Sequence, residues 1–238
     1  MPGIPACIRY CPNSNNYFIY LWQITCYNNT YVMEQTSNKN IITGFYRQVV
    51  RERKSELIPQ YVHENYIQHS AMGKDGREAL FEMVAFLKTL PPPAETDKSP
   101  IARLIEQGDM VVAHLDIQFM GKEIRVIELF RVQDGKAVEH WDVTEEIAAE
   151  TSSYIKLPDR FLVEDRQVFL TDLYSKLNIT IHRIIAEGDF TAVHAEAKDG
   201  DASIALFDIF EFAGKQIKGH WAAKQRVPEK MMHSNGMF

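Results

Sequence analysis

"RLIEQGDMVVAH", residues 103–114, and "RIIAEGDFTAVH", residues 183–194, share Arg, Ile, Gly, Asp and a closing His at a constant offset of 80. The correspondence continues downstream. "VIELFRV" aligns with "ALFDIFEF", which sets Glu128 against Asp208 and Phe130 against Phe210. One residue slips in the next turn, "QDGK" against "AGK", and the offset returns at His140-Trp141 and His220-Trp221. Agreement at a fixed period over several strand-like runs reads as a duplication. One position breaks it. Asp142 in "EHWDV" (139–143) has Ala222 as its counterpart in "GHWAA" (219–223).

The first copy is the longer one. Ser37 is an N-cap candidate, and Ile41, Ile42, Phe45, Tyr46, Val49 and Val50 mark one face of a helix behind it. "SELIPQYV" predicts a short second helix broken near Pro59, and "ENYIQHSAMGKDG" a loop or short strand. Asp75 with Glu78 has capping-box spacing for a third helix, whose buried stripe is Ala79, Leu80, Met83, Val84 and Leu87. "LPPPAETDKSP" (90–100) ends it. Four strands follow, with Asp134-Gly135 as a hairpin turn. Helices followed by an antiparallel meander give an α+β fold. The second copy offers only one helix, near 162–176, before its strands. The expected organisation is an N-terminal extension over 1–36, expected to be disordered, a complete domain over 37–146 and a partial repeat over 147–238.

The chain has 238 residues, enough for one large domain or two small ones. Its formal net charge of −6 argues against a nucleic-acid partner, which calls for a basic stripe. The longest apolar run, "YFIYLWQITCY" (17–27), is short of the about 20 residues that span a bilayer, so no membrane role is expected. It also lacks the flanks of a signal peptide. Cys7, Cys11 and Cys26 all precede the repeats, so neither a disulfide framework nor a thiolate metal site belongs to the body of the protein. A cytoplasmic location is the default expectation. Met33 is a candidate alternative start, which N-terminal sequencing of the native protein would test.

The order helix, helix, "YIQH", Gly-containing loop, helix and a meander ending in "EHWDV" resembles the SnoaL-like proteins of the nuclear-transport-factor-2-like superfamily. "GHWAAKQRVPEK" and "SNGMF" (234–238) resemble the ending of bacterial SnoaL-like proteins described as catalysing aldol condensation. The resemblance implies a cone: three helices packed on a curved, mostly antiparallel sheet, here duplicated with a truncated second copy. By position, it implies that Tyr46 stands where the ketosteroid-isomerase branch has a phenol donor, His69 where it has a general-base carboxylate, and Glu128 where it has a protonated carboxylic acid. Asp142 takes the place of the SnoaL acid/base Asp.

Strand alternation puts His140 and Asp142 on one face and Trp141 on the other. His114 shares a face with Asp116, and Glu128 with Phe130. Turned into a common cavity, Asp142, His140, His69, Glu128 and Tyr46 would be catalytic, and His114, Asp116, Tyr66 and Phe130 would bind substrate. Asp142 or His69 would remove a proton next to a carbonyl, and Tyr46, His140 or Glu128 would hold the enolate oxygen. No cofactor is expected. No metal is expected either, because the spacing of His114, Asp116, His140 and Asp142 matches no known metal signature. The ligand would be small, and hydrophobic or carbonyl-containing; the reaction would be a cyclisation, isomerisation or aldol condensation. The sheets would form an internal pseudo-dimer or a homodimer, with Trp141 and Trp221 packed between them. The competing reading is a non-catalytic ligand-binding or scaffold protein of the same fold, in which His140 and Asp142 are only a structural pair.

Overall fold

The structure is a computed structural model that describes residues 24–27, 30–33, 37–93, 99–147, 155, 157 and 163–238. Strands β1 (Ile24–Tyr27) and β2 (Thr30–Met33) form an antiparallel hairpin with Ile24 opposite Met33. Ile, Thr, Tyr and Val are residue types that suit strand pairing. The rest of 1–36 lies outside the described residues.

Helix α1 (Asn38–Gly44) runs into a π-helical stretch, Phe45–Arg51. Gly44 is required there, since an added Cβ would meet the Tyr61 ring at 2.7 Å. The start of α1 corrects the expected cap. Ser37 makes no cap hydrogen bond; its Oγ donates to Glu106 Oε2 at 2.6 Å, and the Glu106 carboxylate accepts the Asn38 and Lys39 N–H groups at 3.2 and 3.4 Å. A carboxylate at a helix N-terminus also meets the positive end of the helix dipole. Helix α2 (Ile58–Tyr61) and strand β3 (Val62–Gln68) follow, then α3 (Glu78–Thr89). The Asp75 capping box does not form, because Asp75 Oδ1 accepts the Gln68 N–H at 2.9 Å instead.

Strands β4 (Ile101–Gln107), β5 (Met110–Phe119), β6 (Lys122–Gln133) and β7 (Lys136–Glu146) form the expected meander. β3 adds to β7 in parallel, giving the order β3-β7-β6-β5-β4. Asp134 (φ 51°) and Gly135 (φ 74°) both adopt the left-handed turn their sequence predicts. A register shift at Arg131/Val132 bends β6 against β7. Beyond the linker, α4 (Arg166–Lys176) precedes β8 (Thr180–Glu187), β9 (Phe190–Asp199), β10 (Ala202–Ala213) and β11 (Gln216–Arg226), ordered β11-β10-β9-β8. The class is α+β.

Three apolar layers hold these elements. Ile42, Phe45, Val49, Leu80 and Val84 from the helices pack on Val111, Ala113 and Phe130 of the first sheet. Leu170 and Tyr174 of α4 pack on Val193, Leu206 and Phe210 of the second. Between the sheets lie Ile127, Leu129, Trp141, Val143, Phe207 and Ile209. Contacts across this middle layer exchange partners under the offset of 80. The Arg103 guanidinium lies 3.6 Å from the Trp221 ring centroid, and that of Arg183 lies 4.0 Å from the Trp141 centroid. Thr144 N–H donates to Gln225 Oε1 and Lys224 N–H to Glu145 Oε2, both at 3.1 Å. Glu106 N–H reaches Glu187 Oε2 at 2.8 Å, and Ala186 N–H reaches Gln107 Oε1 at 2.7 Å.

Two buried histidines sit in this layer. His114 Nδ1 accepts from Arg103 Nη1 at 2.5 Å, and His194 Nδ1 accepts from Arg183 Nη1 at 3.2 Å. Burial pushes His114 down to about 4, against the pull of Asp116 and with help from Arg103 and Arg125. Burial, with Arg183 and the neighbouring histidines, holds His194 well below its ordinary value. Both pKa values are depressed on folding, so the unfolded chain binds more protons below pH ~6.5. Stability is therefore whole above that pH and falls as pH drops toward 4, by about 3 kcal/mol for His114 alone. Urea melts at pH 7 and 4.5 should show this loss, and His114→Gln should flatten it. Trp141, 1% exposed, should cost about 3–5 kcal/mol on change to Ala, read from the same melts.

Candidate active site

Successive residues of β6 and β7 point alternately to the middle layer and to the helices. Leu129 and Trp141 go to the middle layer, while Glu128, Phe130, His140 and Asp142 go the other way. The register sets Glu128 directly across from Asp142 and Phe130 across from His140. Donor atoms of Glu128, His140 and Asp142 all lie within 4.8 Å of one another. Among the described residues, His140 Nε2 has no hydrogen-bond partner; it sits 3.6 Å from Glu128 Oε2. The His140 ring packs on Phe130 at 4.5 Å between centroids, and Phe130 meets the edge of Tyr46 at 6.1 Å. Tyr46 Oη is buried and, among the described residues, has no hydrogen-bond partner. A buried hydroxyl and a buried imidazole nitrogen without partners are each costly unless something polar binds them.

Two residues absent from the expected set orient this cluster. Gln68 Oε1 lies 3.0 Å from the Ser70 N–H, which can only donate, so that atom is the amide oxygen. The same oxygen lies 2.8 Å from His140 Nδ1, which must therefore donate to it. Neutral His140 thus carries its proton on Nδ1 and leaves Nε2 open toward Glu128. Gln68 Nε2 donates to Tyr66 Oη at 3.3 Å, and Ser70 Oγ donates to Asp142 Oδ2 at 2.9 Å. Gln68 and Ser70 flank His69 in "YIQHS". A strand end aligned with His140 was their only signal in the sequence.

Charge is tuned across the cluster. Burial works against charge on His140, but the carboxylates of Glu128 and Asp142 outweigh it, so its pKa is raised. Burial raises the Asp142 pKa; His140 opposes that and Glu128 adds to it, while Ser70 and His233 hold it back. Burial and the nearby Asp142 charge push the Tyr66 phenol well up.

Other expected site residues lie elsewhere. His69 is on the Trp141 side, stacked on the indole at 4.7 Å between centroids. Its Nδ1 donates to Gly236 O at 3.0 Å and its Nε2 lies 2.9 Å from Glu139 Oε1, so no ring nitrogen is free to take a substrate proton. His114 and Asp116 fall on the face opposite Glu128 and His140. His114 is buried between the sheets, and Asp116 is held by Arg125 Nε at 2.9 Å. They are not cavity-wall residues, because β5 turns Val111, Ala113 and Leu115 to the helices instead. The four-ligand set once conceivable for a metal is thereby split. One imidazole nitrogen and two carboxylates remain together, at Glu128, His140 and Asp142, with spacing that could hold a cation.

The second sheet keeps a related pair in a closed form. Asp208, 1% exposed, accepts from Tyr174 Oη at 2.7 Å and pairs with His220 Nε2 at 2.6 Å. Phe210 stacks on His220 at 4.5 Å between centroids, whereas the Phe130 and His140 rings, at the same separation, are tilted by 31°. Ala222 stands across from Asp208, so the second carboxylate is missing, and the α4 phenol occupies the space beside Asp208.

Residues 40–152 match the family model of the SnoaL-like polyketide cyclases. No curated protein matches the chain. Among solved structures, the chain is similar to IdmH of Streptomyces antibioticus, described as a candidate polyketide cyclase, at 21% identity over 46% of this chain and 93% of that one, with a TM-score of 0.35. TsrD of Streptomyces laurentii is 16% identical over 48% and 92%, with a TM-score of 0.37. A nuclear-transport-factor-2-like protein of unknown function from Cytophaga hutchinsonii is 17% identical over 47% and 93%, also with a TM-score of 0.37. No helix among the described residues is long and apolar enough to cross a membrane.

Removing the Ser70 hydroxyl takes away a hydrogen bond that lowers the Asp142 pKa. Ser70→Ala should therefore raise that pKa further, as followed by carboxyl-carbon NMR titration of Asp142.

Proposed function

We propose that the Glu128, His140 and Asp142 cluster, within the residues 40–152 that match the SnoaL-like model, performs cofactor-free proton transfer on a small carbonyl compound, of the kind that closes a ring by intramolecular aldol condensation. The observation that carries this reading is the convergence of these three groups, with His140 Nε2 buried and, among the described residues, without a hydrogen bond. A carboxylate with a raised pKa is a stronger base than one in water, and Asp142 is that group. It takes the proton from the carbon next to the substrate carbonyl. His140, charged through its pairing with Glu128, donates from Nε2 to the developing enolate oxygen, and Tyr46 Oη gives a second hydrogen bond. The enolate carbon then bonds to a second carbonyl carbon of the same molecule. The alkoxide formed there regains the proton that Asp142 holds, giving the β-hydroxy carbonyl; loss of that hydroxyl with a proton from the carbon between, as water, completes the condensation, and no oxidant or reductant is consumed. Tyr66 and Phe130 shape the wall around it.

The residues paired across the middle layer support an internal pseudo-dimer made by duplication, with one working site per chain. The second repeat would be its structural half, because its carboxylate is already bonded to Tyr174 and His220.

A panel of small 1,3-dicarbonyl and aromatic polyketone compounds tests the reading by proton–deuterium exchange at carbon. Wild type should accelerate exchange, and Asp142→Asn should slow it by about 10²–10⁴-fold, as for loss of a general base. His140→Gln should also slow it, whereas His69→Ala should leave the chemical step in place. Equal exchange in wild type, Asp142→Asn and His140→Gln would remove the catalytic reading. Saturable binding of the same compounds without exchange would leave the ligand-binding alternative.

A further inference from the structure

The last six residues, "HSNGMF", belong to the second repeat in sequence and touch the first in space. Asn235 Nδ2 donates to Gln68 O at 2.9 Å, and His233 Nε2 donates to Ser70 O at 2.8 Å. Gly236 O accepts from His69 Nδ1 at 3.0 Å. Three successive residues at the end of β3 are thus each held by the tail. Two of them carry the side chains that orient the cluster, Gln68 on His140 and Ser70 on Asp142. The third, His69, ties β3 to β7 by its N–H to His140 O at 2.8 Å.

The tail is firmly seated. Met237 is 1% exposed in the layer between the sheets, and Phe238 stacks on His182 at 4.6 Å between centroids. Gly236 has φ 75°, the left-handed region that suits glycine, and an added Cβ there would meet nothing within 4 Å. A backbone change at that point therefore acts through the path of the tail and not through a clash.

We propose that the tail of the second repeat, His233 to Gly236, is a positioning element for the first repeat's cluster, holding the Gln68–Ser70 segment so that Gln68 fixes the His140 ring and Ser70 fixes Asp142. The inference rests on the proton-transfer reading for its purpose, but its test does not need a substrate. It gives the truncated repeat a task that packing alone does not explain: the site in one repeat is completed by the end of the other. The charged or titratable groups that face His140 are Glu128 on β6 and Asp142 on β7, with Tyr66 on β3 near Asp142 and His233 of the tail acting on Asp142.

The experiment is nitrogen NMR of the full chain labelled in its histidines, with His140→Gln identifying the His140 signals. In wild type, neutral His140 should show a protonated Nδ1 and a bare Nε2. In the double variant His233→Ala/Asn235→Ala, the two ring-nitrogen shifts should move toward each other as the tautomers mix, and the His140 titration midpoint should shift. Gly236→Ala should move both readouts in the same direction, and Lys230→Ala, outside these contacts, should move neither. Deletion of 233–238 should give the largest change; if that chain does not fold, the point variants decide. Unchanged tautomer and midpoint in the double variant and in Gly236→Ala would overturn the proposal. An active enzyme with that result would sink this inference alone, whereas tail-dependent His140 signals in a protein without carbonyl exchange would sink the catalytic reading alone.

Discussion

Both faces of the first sheet are covered, one by helices and the other by a second sheet, and this double burial governs where every polar group can go. A strand has only two sides. With apolar layers on both, a charged side chain must find partners inside the protein or leave the sheet. Glu128, His140 and Asp142 meet that demand on the helix side by facing one another. His114, Arg103 and Asp116 meet it on the other side, where Arg103 also covers the Trp221 ring.

The two solutions have opposite consequences for protons. Between the sheets, burial, helped by the guanidinium beside each imidazole, disfavours the charged form, so His114 and His194 serve as neutral acceptors. On the helix side, two carboxylates beside one imidazole favour its charged form against its burial, and burial, with Glu128 nearby, raises the pKa of Asp142. Proton affinity near neutrality follows from neighbours, not from residue type. This is why histidines in closely similar strands play different parts.

The two sheets differ by the same logic. With Ala222 in place of a second carboxylate, Asp208 needs only His220 and one further donor, and Tyr174 supplies it from α4. Each of its carboxylate oxygens then has a partner, and a buried group held in this way is poorly placed to exchange protons with a substrate. The first repeat keeps an excess of acceptors over donors and leaves Tyr46 Oη bare. An asymmetric pair of sites thus arises from a nearly symmetric pair of sheets.

The sequence by itself determined the offset of 80, the order of the helices and of the two strand runs from Ser37 on, the Asp134-Gly135 turn, the α+β class and the opposite facing of Trp141 and its neighbours His140 and Asp142. These are local properties, set by periodicity and turn chemistry, and they do not depend on what a segment packs against. Tertiary structure decided which face of each strand met the helices. In β5, residues Val111 to Leu115 are all buried, so hydrophobic alternation carries no sign of direction there, and His114 and Asp116 could not be told from cavity residues. It also decided that Glu106 and not Ser37 caps α1, that His69 turns to Trp141, and that Gln68, Ser70 and the C-terminal tail surround the cluster. Those contacts join residues far apart in the chain, and their partners are chosen by the packing of whole sheets, which no single segment encodes.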